Sequence, residues 1–288
     1  MDELRIDGDG FSLAASYSPA GPKALVALHG AGEGTRESAF LRHLHELLPQ
    51  HGIGVVTFDR RGEGWSTGDA TRGRFDLQAA DALAVLRAVD AERVGLAGYS
   101  QGGWVAPIAA TLSDDVAFLV LVASIGVTPS EQMMVACERQ LRLAGYGDDV
   151  VERALDLRRR FEHWIHSQAP EPDAALAADL WAAIHEPWAG QLWLPRTLLD
   201  DESVRLWIEE MDFDPRPIFA RVRVPTLSFY GATDSWAPVE ASAEAWRVER
   251  GDQVEVVVVP GAEHDLTLPD GSVAREYEQK LVEWLSRL

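Results

Sequence analysis

The sequence predicts an α/β protein built on an open, parallel β-sheet. Apolar runs without polar alternation recur along the chain, which is typical of strands covered on both faces. Segments with apolar residues at helical spacing separate these runs, so strands and helices alternate. Chemically distinctive residues stand directly after several runs, at the carboxyl ends of strands, where ligands bind in sheets of this kind.

The first part of the chain contains most of the predicted strands. Residues 4–7 and 11–17 are expected to pair as an early hairpin, because the second segment alternates between apolar and polar residues. The continuous apolar runs predict further strands at residues 24–28, 53–58, 94–97 and 116–123. Helical patterns predict helices at residues 38–49, 75–89 and 101–112.

Residues 124–214 show a different pattern. The β-type runs stop, prolines break the stretch into short helices, and five of the ten tryptophans of the chain fall here: Trp164, Trp181, Trp188, Trp193 and Trp207. The α/β pattern resumes with predicted strands at 222–230 and 254–259 and an amphipathic closing helix at 276–288. The sequence therefore predicts a core of residues 1–123 and 215–288, with residues 124–214 inserted as a helical cap. We expect the Trp-rich cap to cover the ligand site at the carboxyl ends of the strands, exclude water and shape an apolar pocket, while packing between helices is an equal expectation for any single tryptophan.

Composition excludes some classes of partner. The 288 residues carry 26 Lys and Arg against 46 Asp and Glu, a formal net charge of −20. Nucleic-acid binding needs clustered Lys and Arg, so a nucleic-acid partner is not expected. The one dense basic run, residues 158–160, lies among acidic neighbours in a helical stretch, and we expect it to form a solvated helix face.

Cys137 is the single cysteine, which excludes an intrachain disulfide, and its apolar neighbours predict a buried structural thiol. No basic and apolar leader stands at the first residues, and no apolar run approaches the roughly 20 residues that cross a bilayer. We therefore expect a cytoplasmic protein without membrane insertion. The sequence does not indicate an oligomeric state.

The strongest chemical signal is residues 98–102, Gly-Tyr-Ser-Gln-Gly. They follow a predicted strand and precede a predicted helix, the context that a nucleophile elbow requires. Glycine at both outer positions allows a tight turn, because larger side chains there would collide. Such a turn exposes the Ser100 hydroxyl, and the following helix N-terminus directs its amides toward it. Ser100 is the predicted nucleophile.

A serine nucleophile needs a base, and the base needs an acid. His264 follows the last predicted strand, so it is expected at the same rim as Ser100. Asp234 follows the preceding strand, and the order Ser, Asp, His matches this type of sheet. The rival acids are Glu263 and Asp265, beside the histidine, and Asp59. The residues that follow Asp59, Arg-Arg-Gly, instead indicate a hydrogen-bonded turn.

An acyl-transfer site also needs donors for the oxyanion. The backbone N–H of Gln101 is one expected donor, and the glycine-rich loop 29–34 after the first parallel strand is expected to supply the other. Ala31 is the favoured residue there and Gly32 the alternative. The loop lacks the glycine and lysine spacing of a phosphate cradle, and the histidine pairs of the chain lack metal-ligand spacing. Neither a phosphate-cradling loop nor a catalytic metal is expected.

Taken together, these motifs resemble the α/β-hydrolase superfamily, in particular its serine esterase, lysophospholipase-like and peptidase-like branches. The segments that carry the resemblance are residues 29–32, 59–66, 98–103, 231–234 and 261–264. The resemblance implies a mostly parallel eight-stranded sheet flanked by helices, with the cap inserted after the sixth strand. It also implies a serine–histidine–acid triad and no cofactor.

The predicted function is hydrolysis of a carboxylic ester of a small apolar substrate through an acyl-enzyme intermediate. Thioesters, lactones, peptides and an intramolecular acyl transfer that closes a ring remain open, as does a non-catalytic small-ligand receptor on the same fold. Trp104, Glu33 and Trp236 are the predicted pocket residues. Trp104 is expected to narrow the acyl pocket, and Glu33 to disfavour anionic substrates.

Overall fold

In the computed structural model, residues 1–32, 34–169, 171–194 and 201–288 are described. Eight strands of this part form one sheet, in the order β1-β2-β4-β3-β5-β6-β7-β8. Their bounds are β1 Asp2–Gly8, β2 Phe11–Ser18, β3 Lys23–Leu28, β4 Ile53–Phe58, β5 Arg93–Tyr99, β6 Leu119–Val122, β7 Thr226–Gly231 and β8 Val254–Val259.

The sheet is antiparallel at one edge and parallel elsewhere. β2 pairs antiparallel with both β1 and β4, and the remaining neighbours are parallel. The register places Leu28 opposite Gly98 and Tyr99 opposite Val122, so β3, β5 and β6 end level with one another. The mostly parallel eight-stranded sheet is confirmed, and its parallel strands direct their following loops to one edge.

The predicted strand at residues 116–123 is longer than the observed one. The apolar run 116–123 contains only the four-residue strand β6, although Val116 and Phe118 are fully buried. Phe118 packs closely against the sheet, because a Cβ atom added at Gly95 would lie 2.3 Å from its ring. The run is apolar because it is buried, and burial alone does not make a residue part of a hydrogen-bonded ladder.

Helices flank the sheet, and those of its own compact unit are α1 Ala39–Leu47, α2 Phe75–Arg87, α3 Gly102–Leu112, α8 Arg216–Phe219, α9 Val239–Arg250 and α10 Arg275–Arg287. The Ser38 side chain caps α1 by accepting from the Leu41 amide at 3.4 Å. α10 buries the predicted apolar side, including Tyr277 and Leu281. None of the helices in the described ranges has both the length and the apolarity needed to cross a membrane.

A second compact unit comprises residues 127–213 and 235–238, and the first comprises residues 1–126, 214–234 and 239–288. The helices of the second unit, which follow β6 as predicted, are α4 Pro129–Leu143, α5 Asp148–Ser167, α6 Ala174–Ala183 and α7 Asp201–Met211. Leu141, Val151 and Trp188 lie in its own apolar core. The Cys137 thiol is also buried there, as predicted, and burial raises its pKa to about 11.

The expectation that residues 158–160 form a solvated face is wrong at its first residue. Arg158 is only 1% exposed, and its guanidinium lies 2.8 Å from the Glu162 carboxylate and donates to the Leu192 carbonyl. Arg159, by contrast, is exposed. The helical period places Arg158 on the inner side of α5 beside Leu157, and the paired carboxylate permits a charge to be buried there.

Candidate active site

Ser100 lies on the tight turn between β5 and α3, with a left-handed φ of 53°. Glycine is required on both sides of it. A Cβ atom at Gly98 would lie 2.2 Å from the Gly102 carbonyl oxygen, and one at Gly102 would lie 2.8 Å from the His29 carbonyl oxygen. The local sequence therefore permits a turn that presents the serine at the carboxyl edge of the sheet.

The turn is held on both sides by main-chain hydrogen bonds. The Ser100 amide donates to the Val122 carbonyl of the adjacent strand at 2.8 Å, and the Gly103 amide donates to the Ser100 carbonyl at 2.8 Å. The buried Ser124 hydroxyl donates to the Gly103 carbonyl, also at 2.8 Å. These bonds tie the start of α3 to the end of β6 and hold the main chain of Ser100 in place.

The structure brings the three predicted triad side chains into one hydrogen-bonded line. His264 Nε2 lies 2.9 Å from Ser100 Oγ, and His264 Nδ1 lies 2.8 Å from Asp234 Oδ2. The Asp234 carboxylate is fully buried and the His264 ring is 13% exposed. With the ring proton on Nδ1 donated to Asp234, Nε2 is free to accept the serine proton, which is the geometry of an activated alcohol.

The loops that carry Asp234 and His264 are hydrogen-bonded to each other. The Ala232 amide donates to the Val259 carbonyl at 2.9 Å, and the Thr233 amide donates to the Ala262 carbonyl at 3.0 Å. No side chain fits at Gly231, where a Cβ atom would lie 2.2 Å from the Glu263 carbonyl oxygen. This close contact between the loops brings the side chains of Asp234 and His264, which are 30 positions apart in the sequence, within hydrogen-bond distance.

Two rival acids have other partners. Asp59 is buried at the end of β4, where its carboxylate accepts from the Arg36 amide at 2.9 Å and from the Trp65 amide at 2.8 Å. Asp265 accepts from the Thr267 amide at 3.1 Å within its own turn. The hydrogen-bonded turn expected at Asp59 is therefore present, and Asp234 is the carboxylate that contacts the His264 ring.

The glycine-rich loop after β3 passes directly beside Ser100. A Cβ atom added at Gly30 would lie 3.4 Å from Ser100 Cβ and 3.3 Å from the Tyr99 ring. Ala31 and Gly32 follow at the exposed side of this loop, and Gln101 begins α3 on the other side of the serine. The predicted oxyanion donors Ala31, Gly32 and Gln101 thus lie on the two segments that flank Ser100, and their role stays a prediction.

Three charged residues that the sequence reasoning did not assign lie behind this loop. The Arg60 guanidinium donates to the Gly30 carbonyl at 2.5 Å and to the Gly32 carbonyl at 3.2 Å. Glu63 pairs with Arg60 at 2.9 Å and with the more exposed Arg72 at 2.9 Å. Hydrogen bonding by Arg72, then by Gly34 and Arg60, outweighs burial and lowers the pKa of Glu63 to about 2. The only sequence signal was the spacing of three between Arg60 and Glu63 after a strand.

His29, at the start of the same loop, is buried and hydrogen-bonds the main chain of Phe58. Its pKa is lowered to about 3, first by burial and second by the positive charge of Arg60. The ring is therefore neutral at physiological pH and packs edge-on against Phe58 with ring centroids 5.5 Å apart. His29 has a structural place behind the loop.

The predicted pocket residues have separate surroundings. Trp104 is buried, donates from its indole to the Ile125 carbonyl at 2.7 Å and packs against Phe75. Trp236 belongs to the second unit, where its ring contacts Trp193 with centroids 4.9 Å apart. Glu33 lies outside the described residues. A pocket role for each of the three stays a prediction. Among the described residues, no cluster of His, Cys, Asp and Glu is arranged to hold a metal ion.

Tyr99 is a further neighbour of the triad that the sequence reasoning did not single out. Its ring stacks on Phe40 with centroids 4.7 Å apart and lies 5.4 Å from the His264 ring. Burial raises the pKa of its phenol above the usual range, with smaller contributions from Asp265 and Asp234. The tyrosine therefore stays neutral and packs beside the imidazole.

Known proteins resemble this chain in sequence and in fold. The sequence matches the Alpha/beta hydrolase family over residues 25–276. A 2-hydroxy-6-oxononadienedioate/2-hydroxy-6-oxononatrienedioate hydrolase from Paraburkholderia xenovorans (strain LB400) is 26% identical over 247 residues, which are 81% of this chain and 78% of that protein.

Solved structures share the fold. An esterase from Pyrococcus furiosus superposes with a TM-score of 0.66 at 17% identity, over 99% of this chain and 90% of the esterase. A proline iminopeptidase from Mycobacterium smegmatis gives a TM-score of 0.63 at 17% identity, over 99% and 98% of the two chains. At such identities the likeness extends to the fold alone.

Proposed function

The chain belongs to the α/β-hydrolase family, and from this premise we propose that it is a serine hydrolase that cleaves a carboxylic ester, or a related acyl bond, of a small apolar substrate. The observation that supports this most strongly is the continuous hydrogen-bonded line from Ser100 through His264 to Asp234, with heavy-atom distances of 2.9 and 2.8 Å. Both distances are hydrogen-bond distances, and the proton passes across the one between Ser100 Oγ and His264 Nε2.

The chemistry follows from the atoms in this line. Ser100 Oγ attacks the substrate carbonyl carbon while His264 Nε2 takes the hydroxyl proton. Asp234 stabilises the imidazolium, and the backbone amides of Gln101 and Ala31 stabilise the oxyanion. The bond from the carbonyl carbon to the leaving oxygen then breaks as His264 protonates that oxygen, the alcohol departs, and the acyl group stays bound to Ser100. A water molecule, deprotonated by His264, attacks the acyl carbon, and the bond from that carbon to Ser100 Oγ breaks as His264 returns the proton to Oγ, which releases the acid and restores the serine.

The test is reaction with a fluorophosphonate probe and turnover of p-nitrophenyl esters of increasing acyl length. Wild-type protein should incorporate one phosphonate and hydrolyse the esters, and Ser100→Ala should do neither while keeping its melting temperature. Ser286→Ala, an exposed serine on α10, is the matched control and should behave as wild type. Labelling of Ser100→Ala, or no reaction of folded wild type with either reagent, rejects the proposal and favours a non-catalytic receptor.

The same panel separates the related acyl substrates. Thioester, lactone and amino-terminal amide analogues of one acyl group differ only in the leaving group, so their kcat/KM values rank the bond that the site prefers. Hydrolysis is distinguished from ring-closing transfer by the product of a hydroxyacyl thioester. A linear acid indicates hydrolysis, and a lactone indicates intramolecular capture of the acyl-enzyme.

A second candidate is hydrolysis of a carbon–carbon bond beside a ketone. The observation that favours it is the 26% identity to a 2-hydroxy-6-oxononadienedioate/2-hydroxy-6-oxononatrienedioate hydrolase. The same nucleophile and base would act, but the leaving group would be carbon and would need conjugation to hold its electron pair. Disappearance of the ultraviolet absorbance of a 2-hydroxy-6-oxodienedioate on incubation with wild type, and its persistence with Ser100→Ala, would identify this activity.

A further inference from the structure

We propose that Arg60, held by Glu63, is the positioning residue of the oxyanion hole. The inference rests on the proposed function and extends it to residues outside the triad. Arg60 is 2% exposed, yet its guanidinium makes two hydrogen bonds to the loop that flanks Ser100, to the carbonyls of Gly30 and Gly32. These two carbonyls lie on either side of Ala31, the proposed donor.

The planarity of the peptide bond links the carbonyl of Gly30 to the amide of Ala31. In a trans peptide the C=O and the N–H of one unit point in opposite directions, and no cis peptide occurs in the described chain. Because the Gly30 carbonyl points at Arg60 at 2.5 Å, the Ala31 N–H points away from Arg60. A hydrogen bond to the carbonyl also polarises the peptide unit, which makes its N–H a stronger donor.

The loop and the arginine fit closely enough to leave little freedom. A Cβ atom added at Gly34 would lie 2.7 Å from Arg60 Cβ and 3.0 Å from Arg60 Cζ. The Arg60 amide also donates to the Gly34 carbonyl at 2.7 Å. The arginine therefore contacts the loop through its main chain, its aliphatic stem and its guanidinium.

Glu63 keeps Arg60 in this position. Its Oε1 lies 2.9 Å from the Arg60 guanidinium, and its Oε2 accepts from the Gly34 amide at 2.9 Å. The carboxylate thus binds both the arginine and the loop, and it balances the charge of Arg60, whose burial without a partner would destabilise the folded chain. We call these two residues the Arg60–Glu63 clamp.

The experiment compares Arg60→Met with Arg61→Met. Arg61 is the neighbouring arginine, but its guanidinium pairs with Asp81 at 3.1 Å and lies 3.5 Å from the centroid of the Phe11 ring. Neither of these partners belongs to the loop that flanks Ser100. On a p-nitrophenyl ester, Arg60→Met should lower kcat by about 10- to 100-fold with KM changed less than about two-fold, since a misdirected oxyanion donor affects the transition state and not ground-state binding. Arg61→Met should lower the melting temperature and leave kcat near that of wild type.

Two further variants keep the test decisive if Arg60→Met folds poorly. Arg60→Lys retains the charge and one donor direction and should recover part of kcat. Glu63→Gln should lower kcat in the same sense as Arg60→Met, because the amide no longer balances the guanidinium. A folded Arg60→Met or Glu63→Gln with wild-type kcat, or an equal loss of kcat in Arg60→Met and Arg61→Met, would overturn the assignment.

Hydrogen–deuterium exchange of the peptide spanning residues 29–34 separates this inference from the proposed function. Faster exchange there in Arg60→Met, but not in Arg61→Met, supports the clamp. If wild type neither hydrolyses esters nor reacts with a phosphonate, the proposed function fails, and the exchange rates still decide whether Arg60 orders the loop. Unchanged exchange in Arg60→Met rejects the clamp whatever the activity.

Discussion

The carboxylate of Asp234, which is fully buried, lies 2.8 Å from His264 Nδ1. The bond joins the ends of two adjacent parallel strands and fixes which nitrogen of the imidazole faces Ser100. Asp234→Asn keeps the shape of the side chain but offers an N–H as well as an oxygen to the ring, so the wrong tautomer becomes favourable. We expect kcat for ester hydrolysis to fall by about 10³- to 10⁴-fold, with KM little changed.

The control for this variant is Asp265→Asn, next to His264 in the sequence. Asp265 caps its own turn by accepting from Thr267, so its replacement should lower kcat by less than about ten-fold. A larger loss of kcat in Asp265→Asn than in Asp234→Asn would contradict the assignment of the acid.

Gly98→Ala should disrupt the elbow itself. The added methyl group would lie 2.2 Å from the Gly102 carbonyl oxygen, and a backbone atom at the start of α3 cannot move aside without shifting Ser100. We expect a loss of about 3 kcal/mol or more in the free energy of unfolding, together with loss of esterase activity. Gly190→Ala, where a Cβ atom meets nothing within 4 Å, should change either property little. Urea denaturation and the ester assay measure both, and equal stability of the two variants would refute the steric argument.

The sheet and the triad were predictable because their signals are local. Apolar runs mark buried strands, and parallel strands carry the residues that follow them to one edge, so Ser100, Asp234 and His264 were expected together without knowledge of their contacts. The contacts of Arg60 with Gly30 and Gly32 depend instead on the pairing of β3 with β4 and on one side-chain conformation. The residues that predict a hydrogen-bonded turn after β4 do not indicate which loop the side chains of that turn contact.

The burial of Arg158 was missed for a related reason. An arginine in a charged helix is usually solvated. Here the positions of the Glu162 carboxylate and of the Leu192 carbonyl in the folded chain compensate the charge and allow it to be buried.

Arg158→Met should leave the Glu162 carboxylate buried without the arginine and lower the free energy of unfolding by about 3–5 kcal/mol. Arg159→Met, at the exposed neighbour, should cost less than about 0.5 kcal/mol.

The double variant Arg158→Met with Glu162→Leu tests the cause of this loss. If the cost comes from an unpaired buried charge, removal of both charges should recover most of the stability. Urea unfolding followed by tryptophan fluorescence and by circular dichroism measures the stability of each variant, and Trp188 lies in the apolar core of the second unit. A double variant as unstable as Arg158→Met would show that the aliphatic packing and the bond to Leu192 matter more than the charge pair.

His29 should make the stability of the protein sensitive to acid well above the range in which carboxylates titrate. Its pKa is about 3 in the folded chain and 6.5 when unperturbed, so between these values the unfolded state binds a proton that the folded state excludes. The contribution of the neutral ring to the free energy of unfolding is therefore complete above about pH 6.5 and declines as the pH falls, at about 1.4 kcal/mol per pH unit.

His29→Asn removes the titrating ring, and the difference in free energy of unfolding between wild type and this variant should shift by about 2 kcal/mol from pH 7 to pH 5. His51→Asn, at an exposed ring, should follow the wild-type profile. Parallel urea-unfolding profiles of wild type and His29→Asn over this range would mean that burial beside Arg60 does not exclude the proton.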